Sequence, residues 1–176
     1  MVRAAVDADV PAILALIRDL AEFEQLAHLV RSTEDDLRRA LFGTPPAAEV
    51  LIAECGAEIA GFALFFHNFS TFLGRRGLWL EDLYVSPGFR RRGCAQALLR
   101  RLAAIAAERG CGRFEWAVLD WNVDAIRFYE ALGGTVLPDW RIVRVTGAAL
   151  AAMAAEAPAD EPGPGPGRAT PGGPPG

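Results

Sequence analysis

Residues 80–95 read LEDLYVSPGFRRRGCA, and this stretch decides how the chain folds. A strand is predicted over residues 78–85 because apolar side chains dominate it, and Ser86-Pro87-Gly88 ends that strand. A helix is predicted over residues 94–109, where apolar residues recur at helical spacing, and Gly110 ends it. The backbone therefore passes from a strand through an arginine-rich turn directly into a helix.

The turn itself, Arg90-Arg91-Arg92-Gly93-Cys94-Ala95, has the composition of a phosphate-binding loop. Backbone N–H groups at the start of a helix are unpaired and the helix dipole is positive there, so they attract a pyrophosphate. Gly93 and Ala95 are small enough for the backbone to approach such a ligand. The segment alone fits a solvated arginine turn equally well, and it has neither the Walker spacing nor a dinucleotide fingerprint.

Further strands and helices are predicted on both sides of this stretch. Two strands joined at Gly56-Ala57 predict an antiparallel hairpin. The predicted strands are residues 2–6, 49–55, 58–66, 114–119 and 140–145, with a loop over residues 68–74. The predicted helices follow Asp7 or Asp9, run from Ser32 or Thr33 to Gly43, and cover residues 123–132.

Charge, hydropathy and cysteine content argue against several functional classes. A formal charge of −4 and a pI near 5.2 provide no sequence-wide basic surface for nucleic acid. No apolar run is long enough for a signal peptide or a membrane span, so we expect a cytoplasmic protein without a membrane partner. Three cysteines without a CxxC pair and two histidines predict neither a disulfide framework nor a metal site.

The length of 176 residues fits one folded domain. After Met153 the composition changes to repeated proline and glycine, which cannot bury enough apolar surface to fold. We therefore expect one domain over residues 1–155 and a disordered tail over residues 156–176, to which we assign no chemistry.

The sequence resembles the GNAT superfamily of acetyl-CoA-dependent N-acetyltransferases. The phosphate loop of that family has the form Arg/Gln-x-x-Gly-x-Gly/Ala after a strand, which Arg90, Gly93 and Ala95 match. The resemblance covers roughly residues 1–150, a span typical of one domain.

Four further segments narrow the resemblance to the spermidine/spermine (diamine) and thialysine acetyltransferase branch. These are NFSTF at residues 68–72, LEDLYV at residues 80–85, LDWN at residues 119–122, and Phe128-Tyr129.

The resemblance implies an α/β (α+β) fold: a mixed, mostly antiparallel central sheet with helices on both faces and a splayed parallel strand pair that admits acetyl-CoA. It also implies a homodimer. Main-chain groups of Leu83, Tyr84 and Val85 would hold the acetyl carbonyl and the pantetheine arm. The remaining expected acetyl-CoA contacts lie at two helix starts: Arg90, Arg91, Arg92, Gly93, Cys94, Ala95 and Gln96, then Asn122, Val123, Asp124 and Ala125.

The resemblance also assigns Tyr129 as a general acid beside the thioester sulfur and Glu81 as the group that deprotonates the amine through water. A phenol with a pKa of about 10 stays protonated at neutral pH and can donate to a departing thiolate. An amine with a pKa near 10.4 arrives protonated and requires a base or a water relay. Strand alternation separates Glu81 and Asp82 unless the strand is bulged, and we assign Asp82 a solvated or structurally bonded role. On other readings, Phe128-Tyr129 is a core pair and Glu81 an outward-facing acid.

The expected amine-binding residues follow from the same resemblance. Glu24 would bind the distal amine of the substrate. Phe23 stands where polyamine enzymes tend to have tyrosine, and Val123 where relatives often have an acid, so the match to spermidine is weakened. Trp116 could equally pack in the core. The full expected set is Phe23, Glu24, Glu81, Glu115, Trp116 and Ala117.

The expected function is direct transfer of acetyl from acetyl-CoA to a primary amine of a small molecule: a diamine, a polyamine or a thialysine-like amino acid. No covalent enzyme intermediate and no metal are expected. Two alternatives stay open: the same catalyst could act on a protein lysine or N-terminus, or the chain could be a non-catalytic acyl-CoA-binding sensor.

Overall fold

The computed structural model of the protein describes residues 1–157. Most of the predicted tail, from residue 158 onward, lies outside the described residues. The fold divides between Ile126 and Arg127 into two compact units, and each is described by itself. None of the helices within residues 1–157 is long and apolar enough to cross a membrane.

A five-stranded sheet in the order β1-β2-β3-β4-β5 forms the framework of the first unit. Strands β1 to β4 pair antiparallel, whereas β4 and β5 pair in parallel. The expected mixed, mostly antiparallel sheet is therefore confirmed. The strands are β1 (Val2–Ala4), β2 (Glu49–Cys55), β3 (Glu58–Ser70), β4 (Arg75–Val85) and β5 (Phe114–Trp116).

Helices α1 (Val10–Phe23) and α2 (Glu34–Phe42) cover one face of this sheet. The apolar face of α1 buries Ile13 and Leu14 against strand residues that include Ile52 and Phe62. Thr33 caps α2 as predicted, because its hydroxyl accepts a hydrogen bond from the Asp36 N–H at 3.2 Å. The Asp9 carboxylate does not cap α1; it binds Arg3 instead.

Helix α3 (Cys94–Glu108) packs against strands β2, β3 and β4. Its stripe of Leu98, Leu99, Leu102 and Ile105 is buried, as the helical spacing predicted. Because Ile52 of β2 faces α1 and α2, alternation directs the neighbouring Leu51 to the α3 face. Helices therefore cover both faces of the sheet, as expected.

The second unit begins at Arg127, within helix α4 (Val123–Ala131), and contains helix α5 (Gly147–Ala155). The predicted strand over residues 140–145 is wrong, since no strand within residues 1–157 pairs with this segment. Helix α5 was not predicted, because its alanine-rich sequence has no apolar stripe to reveal a helical period.

Two strand boundaries also differ from the predictions. Residues 68–70, predicted as loop, continue β3, because the ladder with β4 extends to the pair Ser70 and Arg75. Strand β5 ends at Trp116, three residues before the predicted end at Leu119. The early end of β5 lies next to the functional site described below.

Candidate active site

Strands β4 and β5 separate beyond Leu80. They pair only where residues 78–80 lie opposite residues 114–116. Strand β5 then ends, whereas β4 continues to Val85. Beyond Leu80, therefore, β5 supplies no partners to the β4 backbone. The Ser86 N–H donates to the Ala60 carbonyl of β3 at 2.9 Å, so Tyr84, two residues earlier, also directs its main-chain groups to β3, and Leu83 directs its own to the side that β5 has left.

A bulge interrupts β4 at Glu81. Strand β3 pairs Leu64 with Asp82 and Phe65 with Leu80, which leaves Glu81 without an opposite residue. Such a bulge breaks the alternation of side chains. Glu81 and Asp82 are therefore not separated by simple strand alternation. After the bulge, Asp82 shares a face with Tyr84, which packs in the core against α1 and α2.

Three carboxylates, Glu24, Glu81 and Asp82, form what we call the acidic group. Burial raises the pKa of Asp82 to about 6, and the charges of Glu81 and Glu24 add to this rise. Burial also raises the pKa of Glu24, at the C-terminal end of α1. Glu81 is exposed and accepts a hydrogen bond from the Trp79 indole N–H at 2.8 Å. Within residues 1–157, no basic side chain forms an ion pair with the acidic group.

Phe23 and Arg90 form one wall beside the acidic group. The Arg90 guanidinium lies 5.1 Å from the Phe23 ring centroid and 5.6 Å from the Tyr84 ring centroid. Its Nε donates to the Val85 carbonyl at 3.0 Å. On the other side, the Phe23 and Trp121 rings lie 5.8 Å apart. Arg90 therefore holds the end of β4 in place and links it to Phe23 at the end of α1.

The start of α3 has the geometry of an anion site. Gly93 precedes the helix with φ of +81°, and no side chain caps the first turn. A Cβ built on Gly93 would meet nothing within 4 Å, so the backbone there is open to a ligand. Arg91 also has a left-handed backbone, with φ of 59°, which is strained for a residue other than glycine. These features fit the diphosphate of CoA, and Arg91, Arg92, Gly93, Cys94, Ala95 and Gln96 are the residues that would hold it.

Asn122 caps the start of α4. Its Oδ1 accepts from the Ala125 N–H at 3.3 Å, and its carbonyl accepts from the Ile126 N–H at 3.0 Å. Val123 and Asp124 are exposed and Ala125 is half-buried. The predicted cofactor residues 122–125 therefore form the first turn of a helix, and their role toward acetyl-CoA stays a prediction.

The weaker substrate candidates on β5 have structural partners. The Arg113 Nε lies 2.7 Å from a Glu115 carboxylate oxygen, to which Asn68 also donates at 3.4 Å. The ring of Trp116 packs at 4.8 Å from Phe114. Ala117 is exposed just beyond the end of β5. The Glu115 carboxylate is thus already neutralised, unlike the carboxylates of the acidic group.

Tyr129 is half-buried on α4, and its ring centroid lies 5.5 Å from that of Phe128. Its carbonyl accepts hydrogen bonds from the N–H groups of Leu132 and Gly134, which closes the end of the helix. Tyr129 belongs to the second unit, and its general-acid role stays a prediction.

Sequence reasoning missed two features of this site. Asp82 is the half-buried carboxylate of the acidic group whose pKa burial raises most, although alternation left it a solvated or bonded role. An apolar strand with two consecutive acids is the signal that indicates a bulge there. Trp121 lines the wall beside Phe23 although only its sequence motif was noted.

The separated parallel strands, the open helix start and the acidic group are features that we expect of an acyl-group transferase. The pattern of the acetyltransferase (GNAT) family matches residues 13–134. The chain belongs to the GNAT acetyltransferase family, whose members use acetyl-CoA as co-substrate, and it is an enzyme that transfers acetyl groups.

Curated relatives and solved structures agree with this assignment. The chain is 34% identical to L-ornithine N5-acetyltransferase of Arabidopsis thaliana over 197 residues, covering 86% of each chain. It is 36% identical to thialysine N-epsilon-acetyltransferase of Bos taurus over 165 residues, covering 88% of this chain and 96% of the relative. An integron cassette protein of Vibrio cholerae has the same fold, with a TM-score of 0.73 at 22% identity, covering 88% and 96% of the two chains.

Within residues 1–157, no three histidine, cysteine, aspartate or glutamate side chains are arranged to hold a metal ion.

Proposed function

We propose that this enzyme transfers acetyl from acetyl-CoA to a primary amine of a small cationic molecule. The acidic group carries this proposal, because three carboxylates without a basic partner in residues 1–157 form a site whose charge an ammonium group would neutralise. The names of the relatives support the same chemistry, since ornithine and thialysine each carry a side-chain amine.

Acetyl-CoA supplies an activated acetyl thioester when it is bound. The start of α3 offers uncapped N–H groups to the diphosphate, with Gly93 leaving room for close approach. The β4 backbone at Leu83 offers main-chain groups where β5 has ended. These two features lie on consecutive segments of the chain, and Arg90 fixes the end of β4 between them.

Asp82 is the better placed of the two candidate bases. A base works best when its pKa lies near the operating pH, and the pKa of Asp82 is raised to about 6. Glu81, the base expected from the resemblance, is exposed and accepts from the Trp79 indole. We propose that Asp82 receives the proton of the substrate ammonium, directly or through one water. Before this step, Glu81 and Glu24 attract the cation; after the amine has attacked, Tyr129 donates the proton that the thiolate takes up.

The acidic group also favours a substrate with more than one positive charge. A second ammonium on a diamine, a polyamine or a thialysine-like amino acid would neutralise another carboxylate of the group. Phe23 and Trp121 provide apolar surface for the methylene chain between the charges. The carboxylates and the aromatic wall therefore suit a flexible aliphatic diamine better than an aromatic amine.

An amine panel with acetyl-CoA tests the proposal, with release of the CoA thiol as the readout. Diamines, polyamines, ornithine, thialysine and lysine-containing peptides are compared at equal concentration. We expect turnover with the aliphatic diamines or diamino acids at least about tenfold above that with peptides. All 18 basic side chains of this chain are arginine, so lysine acetylation in the peptide arm cannot come from self-modification.

The panel also separates the alternatives. Turnover confined to peptides would replace the small-molecule substrate with a protein amine. Binding of acetyl-CoA without thiol release for any amine would make the chain an acyl-CoA sensor. The homodimer and the cytoplasmic location stay predictions, and light scattering of the purified chain measures the first of them.

A further inference from the structure

Two cysteine thiols meet beside the start of α3. Cys55 is the last residue of β2 and Cys94 is the first residue of α3. Their sulfur atoms lie 3.6 Å apart, although 39 residues separate them in the sequence. Neither thiol has a place in the acetyl-transfer mechanism, and Cys111 is the third free cysteine. The pair is brought together because α3 packs across β2.

The two thiols differ in access. Cys94 is buried, with 8% of its surface exposed, whereas Cys55 is half-buried at the hairpin that follows β2. Burial, followed by the contact with Cys55, raises the pKa of Cys94, so its thiol stays protonated. Cys55 is therefore the thiol that a small oxidant reaches first.

We propose that Cys55 and Cys94 are a redox modification site, which hydrogen peroxide converts to a disulfide that weakens the hold of the α3 start on acetyl-CoA. The Cys55 thiolate attacks one peroxide oxygen, which forms a sulfenic acid and releases hydroxide, and a proton converts this to water. The Cys94 sulfur then attacks the Cys55 sulfur, the S–O bond breaks, and the Cys94 proton leaves with that oxygen as a second water. Two thiols are oxidised and one peroxide is reduced to two waters.

Disulfide formation shortens the distance between the sulfur atoms from 3.6 Å to about 2.05 Å. The new bond also ties the first residue of α3 to the last residue of β2. Cys94 carries one of the uncapped N–H groups at the helix start, directly after Gly93. Hydrogen bonds to phosphate lose strength when donors move by a substantial part of an ångström. The consequence for acetyl-CoA rests on the proposed function, whereas disulfide formation does not.

The cysteines fall on three separate tryptic peptides, which makes the linkage directly readable. Cleavage after arginine places Cys55 in residues 40–75, Cys94 in residues 93–100 and Cys111 in residues 110–113. The purified full chain is treated with hydrogen peroxide, blocked, digested without reductant and analysed by mass spectrometry. We expect the peptide of residues 40–75 linked to that of residues 93–100, and its loss after dithiothreitol.

Acetyl-CoA affinity is measured by calorimetry on the same reduced and oxidised samples. We expect the Kd to rise about tenfold on oxidation, equivalent to one lost charge-assisted hydrogen bond, and to recover with dithiothreitol. Cys55→Ala should bind acetyl-CoA normally and lose the response to peroxide. Cys111→Ala, the matched control, should keep the response.

The outcomes separate the two proposals. Peroxide-treated protein without the linked peptide, or with the link and an unchanged Kd, would overturn the redox site. Reduced protein without any affinity for acetyl-CoA would overturn the proposed function, and the mass spectrum would still decide whether the thiols pair.

Discussion

Two groups of carboxylates in the first unit have pKa values shifted in opposite directions. At the sheet edge, Arg3 donates to Asp9 at 2.6 and 2.9 Å and to Glu54 at 2.6 Å, and we call these three residues the Arg3 network. The hydrogen bonds from Arg3 hold the pKa of Asp9 below its ordinary value. In the acidic group, burial and like charges raise the pKa of Asp82 to about 6.

The difference separates carboxylates that stabilise the fold from carboxylates that can bind a cation or move a proton. Asp9 is buried, but it is fully bonded, because the Val6 N–H also donates to it at 2.8 Å. It contributes to stability and has no proton to exchange near neutral pH. Asp82 is held in a destabilising environment, which is the usual condition of a group that binds or moves a proton. Ionised carboxylates without cations favour a positively charged substrate.

The largest expected effect comes from removing the base. Asp82→Asn keeps the shape of the side chain but cannot accept a proton, so we expect kcat/KM for the amine to fall about a hundredfold. Glu81→Gln should lose less, since Glu81 is exposed. Steady-state kinetics of both variants measure this, with Asp35→Asn on the exposed face of α2 as the control. Full activity of Asp82→Asn would assign the proton transfer elsewhere.

The Arg3 network should respond in stability rather than in catalysis. Asp9→Asn removes a charged partner of Arg3 and should lower the free energy of unfolding by about 2 kcal/mol near neutral pH. Because the pKa of Asp9 is lowered in the fold, its contribution is present above about pH 4 and is lost as pH falls through the folded-state value. Urea unfolding across pH measures both. Equal stability of variant and wild type at neutral pH would make the network incidental.

In the acidic group, the same kind of substitution should change the free energy of unfolding in the opposite direction. Asp82→Asn should raise the free energy of unfolding by roughly 1 kcal/mol at about pH 8, because folding no longer buries an ionised carboxylate. The raised pKa means that the folded state binds more protons between about pH 4 and pH 6, so wild-type stability from this group falls as pH rises through that range. The gain of the variant should disappear near pH 4. A loss of stability at pH 8 would contradict the electrostatic description of Asp82.

The smallest effect concerns the neighbour of Asp82. Glu24→Gln removes one of the like charges that raise the pKa of Asp82, and burial remains the larger cause. We therefore expect the acid limb of the pH profile of kcat/KM to move down by a few tenths of a pH unit. Glu22→Gln, an exposed acid on the same helix, should leave the limb in place. A shift in both variants would indicate a general surface-charge effect.

Much of this fold could be predicted from local sequence. The stripe of α3, the Thr33 cap of α2 and the β2–β3 hairpin follow from periodicity, capping and turn chemistry, and all three are confirmed. Residues 140–145 show where prediction from local sequence fails. This apolar segment has the propensity of a strand, but a strand also needs a pairing partner, which the local pattern does not identify. Val143 in this segment is 88% exposed.

The site was less predictable than the fold. The residues of the phosphate loop could be named from the motif and Glu24 from the resemblance to the family, although their roles stay predictions. The choice between Glu81 and Asp82 depends on the bulge in β4, which is a property of the pairing register with β3. The sequence motif also predicts Arg90 as a phosphate ligand, but in the structure its side chain contacts the Val85 carbonyl and two aromatic rings.

An NMR titration of the aspartate carboxyl carbons tests the contrast between Asp9 and Asp82 most directly, because both resonances are followed in one sample of the whole chain. Asp9→Asn and Asp82→Asn assign the two signals. We expect a midpoint near 6 for Asp82 and a midpoint below the ordinary value of about 3.9 for Asp9. An Asp82 midpoint near 4 would contradict the account, since the carboxylate would then be an ordinary solvated acid.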